Sequence, residues 1–267
     1  MNSPGKEVRL SRLFDRKSGK VVIVTMDHAI AHGVLPSIRN THQIIEKITA
    51  GRPNAITIHK GLASKYFKLL IDSDTSLICK LSGFSLYNPT FDTQFTEVKE
   101  AIKLGADAVA YGATIGDTRQ DEMLQTIGHL AKECDEYGMP LTVHIYPKGN
   151  LLKKEDYYKT ENIMYAARAA AELGADIVKT WYTGSSDTFK QVVEACPVPV
   201  VIAGGPHTES VEQFLTMVRG AIDGGASGVA VGRNVWGSNN PTLMIEALKM
   251  IVHENKGVQE TIAELKL

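Results

Sequence analysis

The sequence has little cysteine and no segment typical of a membrane protein. Its three cysteines, Cys79, Cys134 and Cys196, are far apart and odd in number. Scattered cysteines of this kind suggest neither a disulfide framework nor a zinc site, so we expect the reducing conditions of the cytoplasm. No apolar run approaches the ~20 residues of a membrane span, and the polar residues 1–16 lack the hydrophobic core of a signal peptide. The sequence therefore predicts no membrane partner.

An excess of charge of either sign is also lacking. The 29 Lys and Arg residues and 30 Asp and Glu residues leave a formal net charge of −1, which gives no reason to expect nucleic acid as a partner. Apolar residues make up 43% of the chain and charged residues 22%, values that favour an ordinary globular domain over a disordered chain. No internal linker or low-complexity segment divides the chain.

Short β-branched runs recur along the whole chain, and amphipathic stretches long enough for helices separate most of them. The predicted strands are residues 21–26, 55–59, 77–81, 108–111, 141–145, 177–180, 198–203 and 228–231. The clearest predicted helices are residues 96–104, 121–137, 161–173, 188–195, 211–222 and 242–253. Several helices are followed by Gly-Ala-Asp or Gly-Ala-Ser, where glycine takes the left-handed conformation that stops a helix. Repeated βα units with such short turns indicate a parallel sheet.

The eight predicted strands favour a closed (β/α)8 TIM barrel, whose usual size matches 267 residues. The alternative is an open doubly wound sheet, which usually carries Gly-x-Gly-x-x-Gly after its first strand. Here the first strand runs into Met-Asp-His-Ala-Ile-Ala-His-Gly at residues 26–33. The sequence therefore predicts an α/β fold with a single TIM-barrel domain over residues 1–267, in which residues 1–19 form an N-terminal arm or a cap at the barrel bottom.

A lysine interrupts one of the apolar strands. Lys179 follows Ile177 and Val178 near the carboxyl end of the sixth predicted strand, which a parallel sheet covers on both faces. Burial disfavours the ammonium form and lowers the pKa of a lysine, which leaves a free amine able to attack a carbonyl. Lys179 is therefore the candidate Schiff-base nucleophile. The structural alternative is a strand-end lysine that extends its charge to solvent.

The loops after the last two strands predict a phosphate site. Strand seven is followed by Gly204 and Gly205, and strand eight by Gly232 and Arg233. Glycines let backbone N–H groups approach an anion, and an arginine adds charge-assisted hydrogen bonds. Barrels commonly bind phosphate at these two loops. The alternative is that the glycines only make tight turns beside a surface arginine.

Two further strand ends carry candidates for proton transfer. Asp27 follows the first strand and Tyr146 the fifth. A carboxylate beside a lysine amine can assist imine formation, and a tyrosine hydroxyl can exchange a proton with the reacting hydroxyl group. Taken alone, Asp27 is better explained as a helix N-cap and Tyr146 as a packed aromatic side chain. Opposite Lys179 at a barrel mouth, both are interpreted as functional.

Four histidines, His28, His59, His144 and His207, lie near strand ends, so a metal-dependent barrel lyase or hydrolase is an alternative. The chain has neither His-x-His on the first strand nor His-Glu-x-x-His, the patterns that would support a metal site. We therefore expect core or pocket-lining histidines and no metal. His144 lies two residues before Tyr146 and should face the same side of its strand.

These motifs together resemble the archaeal-type class I fructose-bisphosphate aldolase family, which includes the 2-amino-3,7-dideoxy-D-threo-hept-6-ulosonate synthases of an alternative start to aromatic amino-acid biosynthesis. The similarity rests on Met-Asp-His-Ala at 26–29, Tyr-Pro-Lys-Gly at 146–149, Asp-Ile-Val-Lys-Thr at 176–180, Ala-Gly-Gly-Pro at 203–206 and Gly-Val-Ala-Val-Gly-Arg-Asn at 228–234. It runs in order over residues 8–255.

The resemblance implies roles for the candidate residues. Lys179 falls on the Schiff-base lysine of the family, Asp27 on its aspartate after strand one, Tyr146 on its catalytic tyrosine, and the two glycine loops on its phosphate site. It also implies no metal or cofactor, a phosphorylated ketose and an aldehyde as small-molecule partners, and a homo-oligomer, commonly a decamer of two stacked rings.

Three residues depart from the family pattern. Lys148 stands where the family often has arginine, His144 where fructose-bisphosphate aldolases tend to have tryptophan, and Ala29 where glycine commonly follows the histidine. Lysine keeps the charge of arginine but loses its planar fork. The stretch at residues 179–184 is closer to the heptulosonate synthases. We expect His28, His144 and Lys148 to line the substrate pocket.

The sequence thus predicts a class I aldolase or transaldolase that makes or breaks a C–C bond in a ketose phosphate. Fructose 1,6-bisphosphate cleavage and heptulosonate synthesis both fit this chemistry, and a thiolase-like transfer would share the lysine. The alternatives of another class are the metal-dependent barrel lyase or hydrolase and a non-catalytic sugar-phosphate-binding barrel.

Overall fold

A ring of parallel strands forms the centre of the computed structural model, which describes residues 3–267; residues 1 and 2 of the predicted arm lie outside it. The strands are β1 Val21–Thr25, β2 Ala55–His59, β3 Ser76–Lys80, β4 Ser82–Ser85, β5 Asn88–Gln94, β6 Ala108–Thr114, β7 Leu141–Tyr146, β8 Ile177–Thr180, β9 Val200–Ala203 and β10 Gly228–Val231. All except β4 and β5 pair in parallel around the ring, and β10 returns to β1. This topology confirms the predicted (β/α)8 barrel.

Helices lie between the barrel strands in the chain and surround them. They are α1 Pro4–Leu13, α2 His28–His32, α3 Thr41–Ala50, α4 Lys60–Ile71, α5 Val98–Lys103, α6 Gln120–Glu136, α7 Thr160–Glu172, α8 Ser186–Ala195, α9 Val211–Asp223, α10 Arg233–Trp236, α11 Pro241–Val252 and α12 Val258–Leu265. Side chains of Asn40, Ser185, Ser210 and Asn240 start four of them by accepting a backbone N–H group. Across residues 3–267, no helix is both long and apolar enough to cross a membrane.

The apolar residues of the barrel strands divide between two cores because successive side chains of a strand point to opposite faces. The inner core fills the barrel and consists of Val21, Ile23, Ala55, Ile78, Ala108, Ala110, Ile177, Val201 and Ala230 together with Leu13. The larger outer core lies between strands and helices. The strand residues of this inner core are among the first three residues of their strands, so the carboxyl ends of the strands are free for polar groups.

Helix α1 covers the bottom of the barrel, at the amino ends of the strands. Leu13 is completely buried against the inner core, with Phe14 packed beside it. Lys6 is only 3% exposed. It forms ion pairs with Asp135 and, at 3.1 Å, with Asp176, which directly precedes β8. The N-terminal helix is thereby tied to the barrel by both apolar packing and charge.

The antiparallel hairpin of β4 and β5 is an element that the sequence did not predict. It follows β3 directly, so it lies at the carboxyl end of the barrel. At its turn the backbone N–H of Leu86 donates to the carbonyl of Ile30 in α2 at 3.1 Å. The two turn residues are Leu86 and Tyr87, and they lack the Asn-Gly or Gly-containing pattern that predicts a hairpin. The hairpin brings additional side chains to the barrel mouth.

Candidate active site

A cavity of about 240 Å³ opens at the carboxyl ends of the barrel strands. Every residue predicted to act in catalysis or substrate binding lines it. These residues are Asp27, His28, His144, Tyr146, Lys148, Lys179, Gly204, Gly205, Gly232 and Arg233. The fold therefore assembles at one place the candidates that the sequence places on five separate strand ends.

Lys179 points into this cavity from β8. Ile177 belongs to the inner core, and Lys179, two residues later, faces the same way. Lys179 is 5% exposed. Burial lowers its pKa to about 8, with Asp27 opposing the shift and Lys80 contributing to it. An amine with such a pKa is partly unprotonated near neutral pH, which suits a nucleophile.

The carboxylate of Asp27 lies between two histidines. His28 Nδ1 is 3.4 Å from one of its oxygens and His144 Nδ1 is 3.8 Å from the other. Burial by itself raises the pKa of Asp27, but interactions with His28 and Lys179 outweigh it and hold the pKa well below its usual value. Burial lowers the pKa of His28 to about 4 and that of His144 well below its usual value. Near neutral pH both imidazoles are therefore uncharged, and the ammonium of Lys179 balances Asp27.

Tyr146 forms part of an aromatic wall of the cavity. Its ring centroid lies 5.0 Å from that of Trp181, which in turn stacks on Tyr158 at 4.7 Å. Burial, together with the negative charges of Asp27 and Asp92, raises the pKa of Tyr146 well above its usual value. The phenol is consequently protonated near neutral pH, in the form that can donate a hydrogen bond.

The two glycine loops and Arg233 form the wall that follows β9 and β10. The amide of Asn234 donates to the carbonyls of Gly204 at 2.9 Å and Pro206 at 3.0 Å, which joins the loops after β9 and β10. A Cβ atom on Gly232 would lie 2.7 Å from the carbonyl of Thr25, so this close approach requires glycine. Within residues 3–267 no carboxylate pairs with Arg233, and its buried Nε has no hydrogen-bond partner. A partly buried guanidinium without a carboxylate suits an anionic ligand.

Lys148 lies on the hairpin side of the cavity. Its Nζ sits 3.3 Å from the ring centroid of Phe84 in β4, and burial lowers its pKa to about 8. The lining residues that the prediction did not include are led by two charged groups and one large aromatic, Lys80, Asp92 and Trp181. Lys80 has the same signal that singled out Lys179, a lysine near the end of an apolar strand. Asp92 has no such signal because it belongs to the unpredicted hairpin.

Two further residues at a strand end, the candidate His59 and its neighbour Lys60, lie outside the cavity. The ring nitrogens of His59 are each 3.3 Å from a backbone carbonyl, that of Lys80 and that of Asp27. Lys60 pairs with Glu100 at 2.7 Å on the outside of the barrel. In the described part of the chain, no group of three His, Cys, Asp or Glu side chains is placed to hold a metal ion.

Comparison with known proteins agrees with this geometry. A family model described as DeoC/LacD family aldolase matches residues 21–238. The chain is 39% identical to a 2-amino-3,7-dideoxy-D-threo-hept-6-ulosonate synthase of Archaeoglobus fulgidus, over 97% of this chain and 95% of the relative. It is 35% identical to a class 1 fructose-bisphosphate aldolase of Halobacterium salinarum, over 93% and 96%.

A solved structure shows the same fold with a covalent intermediate. It is an archaeal fructose-1,6-bisphosphate aldolase whose catalytic lysine is bound to the carbinolamine intermediate of its substrate. The TM-score is 0.84 at 31% identity, over 93% of this chain and 99% of that chain. The predicted resemblance to class I aldolases is thereby confirmed, and the chain belongs to the DeoC/LacD aldolase family.

Proposed function

We propose that this aldolase works through an imine between Lys179 and the carbonyl carbon of a phosphorylated ketose. The observation that carries the proposal is the burial of Lys179, 5% exposed, in a cavity that it shares with Asp27 and Arg233. Burial favours the nucleophilic amine. Arg233, two strands further around the ring, supplies a group that can hold the phosphate of the same substrate.

The chemistry follows from the free amine of Lys179. The amine attacks the ketone, and loss of water from the carbinolamine gives a protonated imine. The positive nitrogen then accepts the electron pair of the neighbouring C–C bond, which breaks to an enamine and an aldehyde. In the opposite direction the enamine attacks the aldehyde. The phosphate of the ketose half is assigned to the loops at Gly204, Gly205, Gly232 and Arg233.

Tyr146 is assigned to the proton on the hydroxyl of the aldehyde half. Because its pKa is raised, the phenol holds a proton that it can donate to the new alkoxide when the C–C bond forms. Bond breaking runs in reverse: the positive imine stabilises the phenolate, the phenol releases its proton to solvent, and the phenolate then takes the proton of the substrate hydroxyl. Asp27 exchanges protons during imine formation and hydrolysis. His28, His144 and Lys148 are assigned to substrate contact.

The proposed substrates are a phosphorylated ketose and an aldehyde. Fructose 1,6-bisphosphate cleavage is supported by the Halobacterium relative and heptulosonate synthesis by the Archaeoglobus relative, at 35% and 39% identity. His144 and Lys148 line the cavity at two of the positions where this chain departs from the family pattern, so substrate selectivity is assigned to that side.

We also propose that the protein acts in the cytoplasm as a homo-oligomer, a decamer as in the family it resembles. The three cysteines are buried and free, as expected in a reducing compartment. Light scattering coupled to size-exclusion chromatography tests the assembly, since each copy contributes 29.1 kDa. A mass of one copy would contradict it.

Reductive trapping tests the proposed function. Borohydride added with a ketose phosphate should attach the reduced substrate to the peptide that contains Lys179. Lys179→Met should show no labelling, whereas the control Lys60→Met, which changes a lysine outside the cavity, should be labelled fully. Labelling at Lys80 would contradict the assignment. Turnover without trapping that EDTA abolishes would favour a metal-dependent lyase, and phosphate binding without trapping or turnover a non-catalytic barrel.

A further inference from the structure

Lys80, Ser82 and Asp92 form a second polar cluster at the cavity, on the side away from the phosphate loops. Lys80 is the last residue of β3, which lies four strands from β9 in the closed ring. Lys80 and Asp92 line the cavity although they are only 4% and 2% exposed. Two buried opposite charges therefore face the substrate from the far wall.

The hydroxyl group of Ser82 organises this cluster. It donates to Asp92 Oδ1 at 2.9 Å and accepts from the backbone N–H of Gly112 at 2.8 Å and from Lys80 Nζ at 3.2 Å. Lys80 Nζ also lies 3.6 Å from Asp92 Oδ1. The serine hydroxyl uses its donor and both acceptor positions within the protein. Only the ammonium and the carboxylate have capacity left for a ligand.

The barrel itself makes room for Asp92. A Cβ atom on Gly112 in β6 would overlap the carboxylate of Asp92, so only glycine permits the carboxylate to lie over the barrel mouth. The hydroxyl of Tyr111 donates to the backbone carbonyl of Asp92 at 3.3 Å and fixes this part of β5. The carboxylate is therefore held at the cavity wall by several independent contacts.

The charges of the cluster decide what it can bind. A phosphate group would be attracted by Lys80 but repelled by Asp92, and an apolar group would leave both charges without a solvent or ligand partner. A hydroxyl group accepts a hydrogen bond from an ammonium and donates one to a carboxylate at the same time. Adjacent Lys80 and Asp92 side chains therefore match a sugar hydroxyl.

We propose that Lys80 and Asp92 recognise a hydroxyl group on the aldehyde half of the substrate, on the carbon next to the reacting aldehyde carbon. This inference rests on the proposed function. With the imine at Lys179 on β8 and the phosphate at the loops after β9 and β10, the part beyond the breaking bond extends toward β3. Lys80 and Asp92 are thus specificity-determining residues for the aldehyde.

Two aldehydes that differ by this one hydroxyl test the inference. Condensation of dihydroxyacetone phosphate with 2-hydroxypropanal and with propanal is followed by mass spectrometry of the products. The wild type should prefer 2-hydroxypropanal by ~10- to 100-fold in kcat/KM, the range for hydrogen bonds to charged groups. Lys80→Met and Asp92→Asn should each reduce the preference to below ~3-fold, the loss expected when one of those bonds is removed. Lys60→Met, outside the cavity, should keep the wild-type preference.

The possible outcomes distinguish the proposed hydroxyl subsite from the proposed function. A wild type that is trapped at Lys179 by dihydroxyacetone phosphate, yet condenses with both aldehydes equally or with neither, contradicts the hydroxyl subsite alone. A preference that survives both substitutions also contradicts it. Failure to trap Lys179 contradicts the proposed function instead. The wild-type comparison needs no variant, and Asp92→Asn preserves the shape that fits against Gly112, so the result does not depend on whether Lys80→Met folds.

Discussion

Lys6 and Lys179 are buried to nearly the same extent at opposite ends of the barrel, with 3% and 5% exposed. Burial by itself lowers the pKa of a lysine, and it contributes in this direction at both side chains. At Lys6 the two carboxylates of Asp135 and Asp176 outweigh this effect and the pKa rises, whereas at Lys179 burial prevails and the pKa falls to about 8. The number of carboxylate partners, and not the extent of burial, separates the lysine with a raised pKa from the lysine with a lowered pKa.

The same contrast extends to the two ends of the barrel as a whole. The bottom is apolar and closed by α1, whose Leu13 completes the inner core. The top holds a cavity lined by titratable groups, among them Arg233 with a buried nitrogen that lacks a partner. Stability at one end and chemistry at the other is the division expected of a barrel enzyme. Substitutions at the two ends should therefore affect different properties.

Tyr146→Phe should have the largest effect at the top of the barrel. It removes one oxygen and keeps the ring that packs on Trp181 at 5.0 Å. Turnover should fall by ~10²–10⁴, the usual contribution of a general acid–base group, while borohydride still traps Lys179. The exposed Tyr165→Phe serves as the control and should match the wild type. Loss of trapping together with turnover would place Tyr146 in imine formation.

Leu13→Ala should have the largest effect at the bottom. The side chain is completely buried, so its truncation leaves a cavity and should lower the free energy of unfolding by ~2–5 kcal/mol. Val8→Ala changes an exposed residue of the same helix and should be nearly neutral. Denaturant unfolding measures both variants. A large drop in trapping at Lys179 in folded Leu13→Ala would show that the two ends are not independent.

The pH dependence of trapping sharpens the comparison of the two lysines. Cyanoborohydride labelling of Lys179 requires the free amine, whose fraction grows as the pH rises through its pKa. With a pKa of about 8, the labelling rate should rise about tenfold between pH 7 and pH 9 and then level off. An ordinary lysine would give roughly a hundredfold rise without levelling. A rate that continues to climb above pH 9 would mean that burial does not lower the pKa of Lys179.

Local sequence patterns predicted the barrel because buried parallel strands are short apolar runs separated by amphipathic helices. Their bounds differ by a few residues where pairing continues beyond the apolar run; β6, for example, extends to Thr114 alongside β7, past the predicted end at residue 111. The predicted strands also located the candidate site, because the carboxyl ends of all eight barrel strands converge at one end of the barrel. The hairpin of β4 and β5 was not predicted because its two turn residues include no glycine or asparagine.

The sequence by itself determined the order of the βα units, the strand that carries Lys179 and the two glycine loops, because these depend on residues close together in the chain. Only the tertiary structure decided which other lysine lines the cavity. Lys60 and Lys80 both lie at the ends of strands, but Lys60 starts a helix and pairs with Glu100 outside the barrel, whereas Lys80 meets Asp92 inside. The alternation of side chains along a strand shows which face of the sheet each side chain is on. The groups that contact the side chain, and therefore its charge and role, belong to segments that only folding brings together.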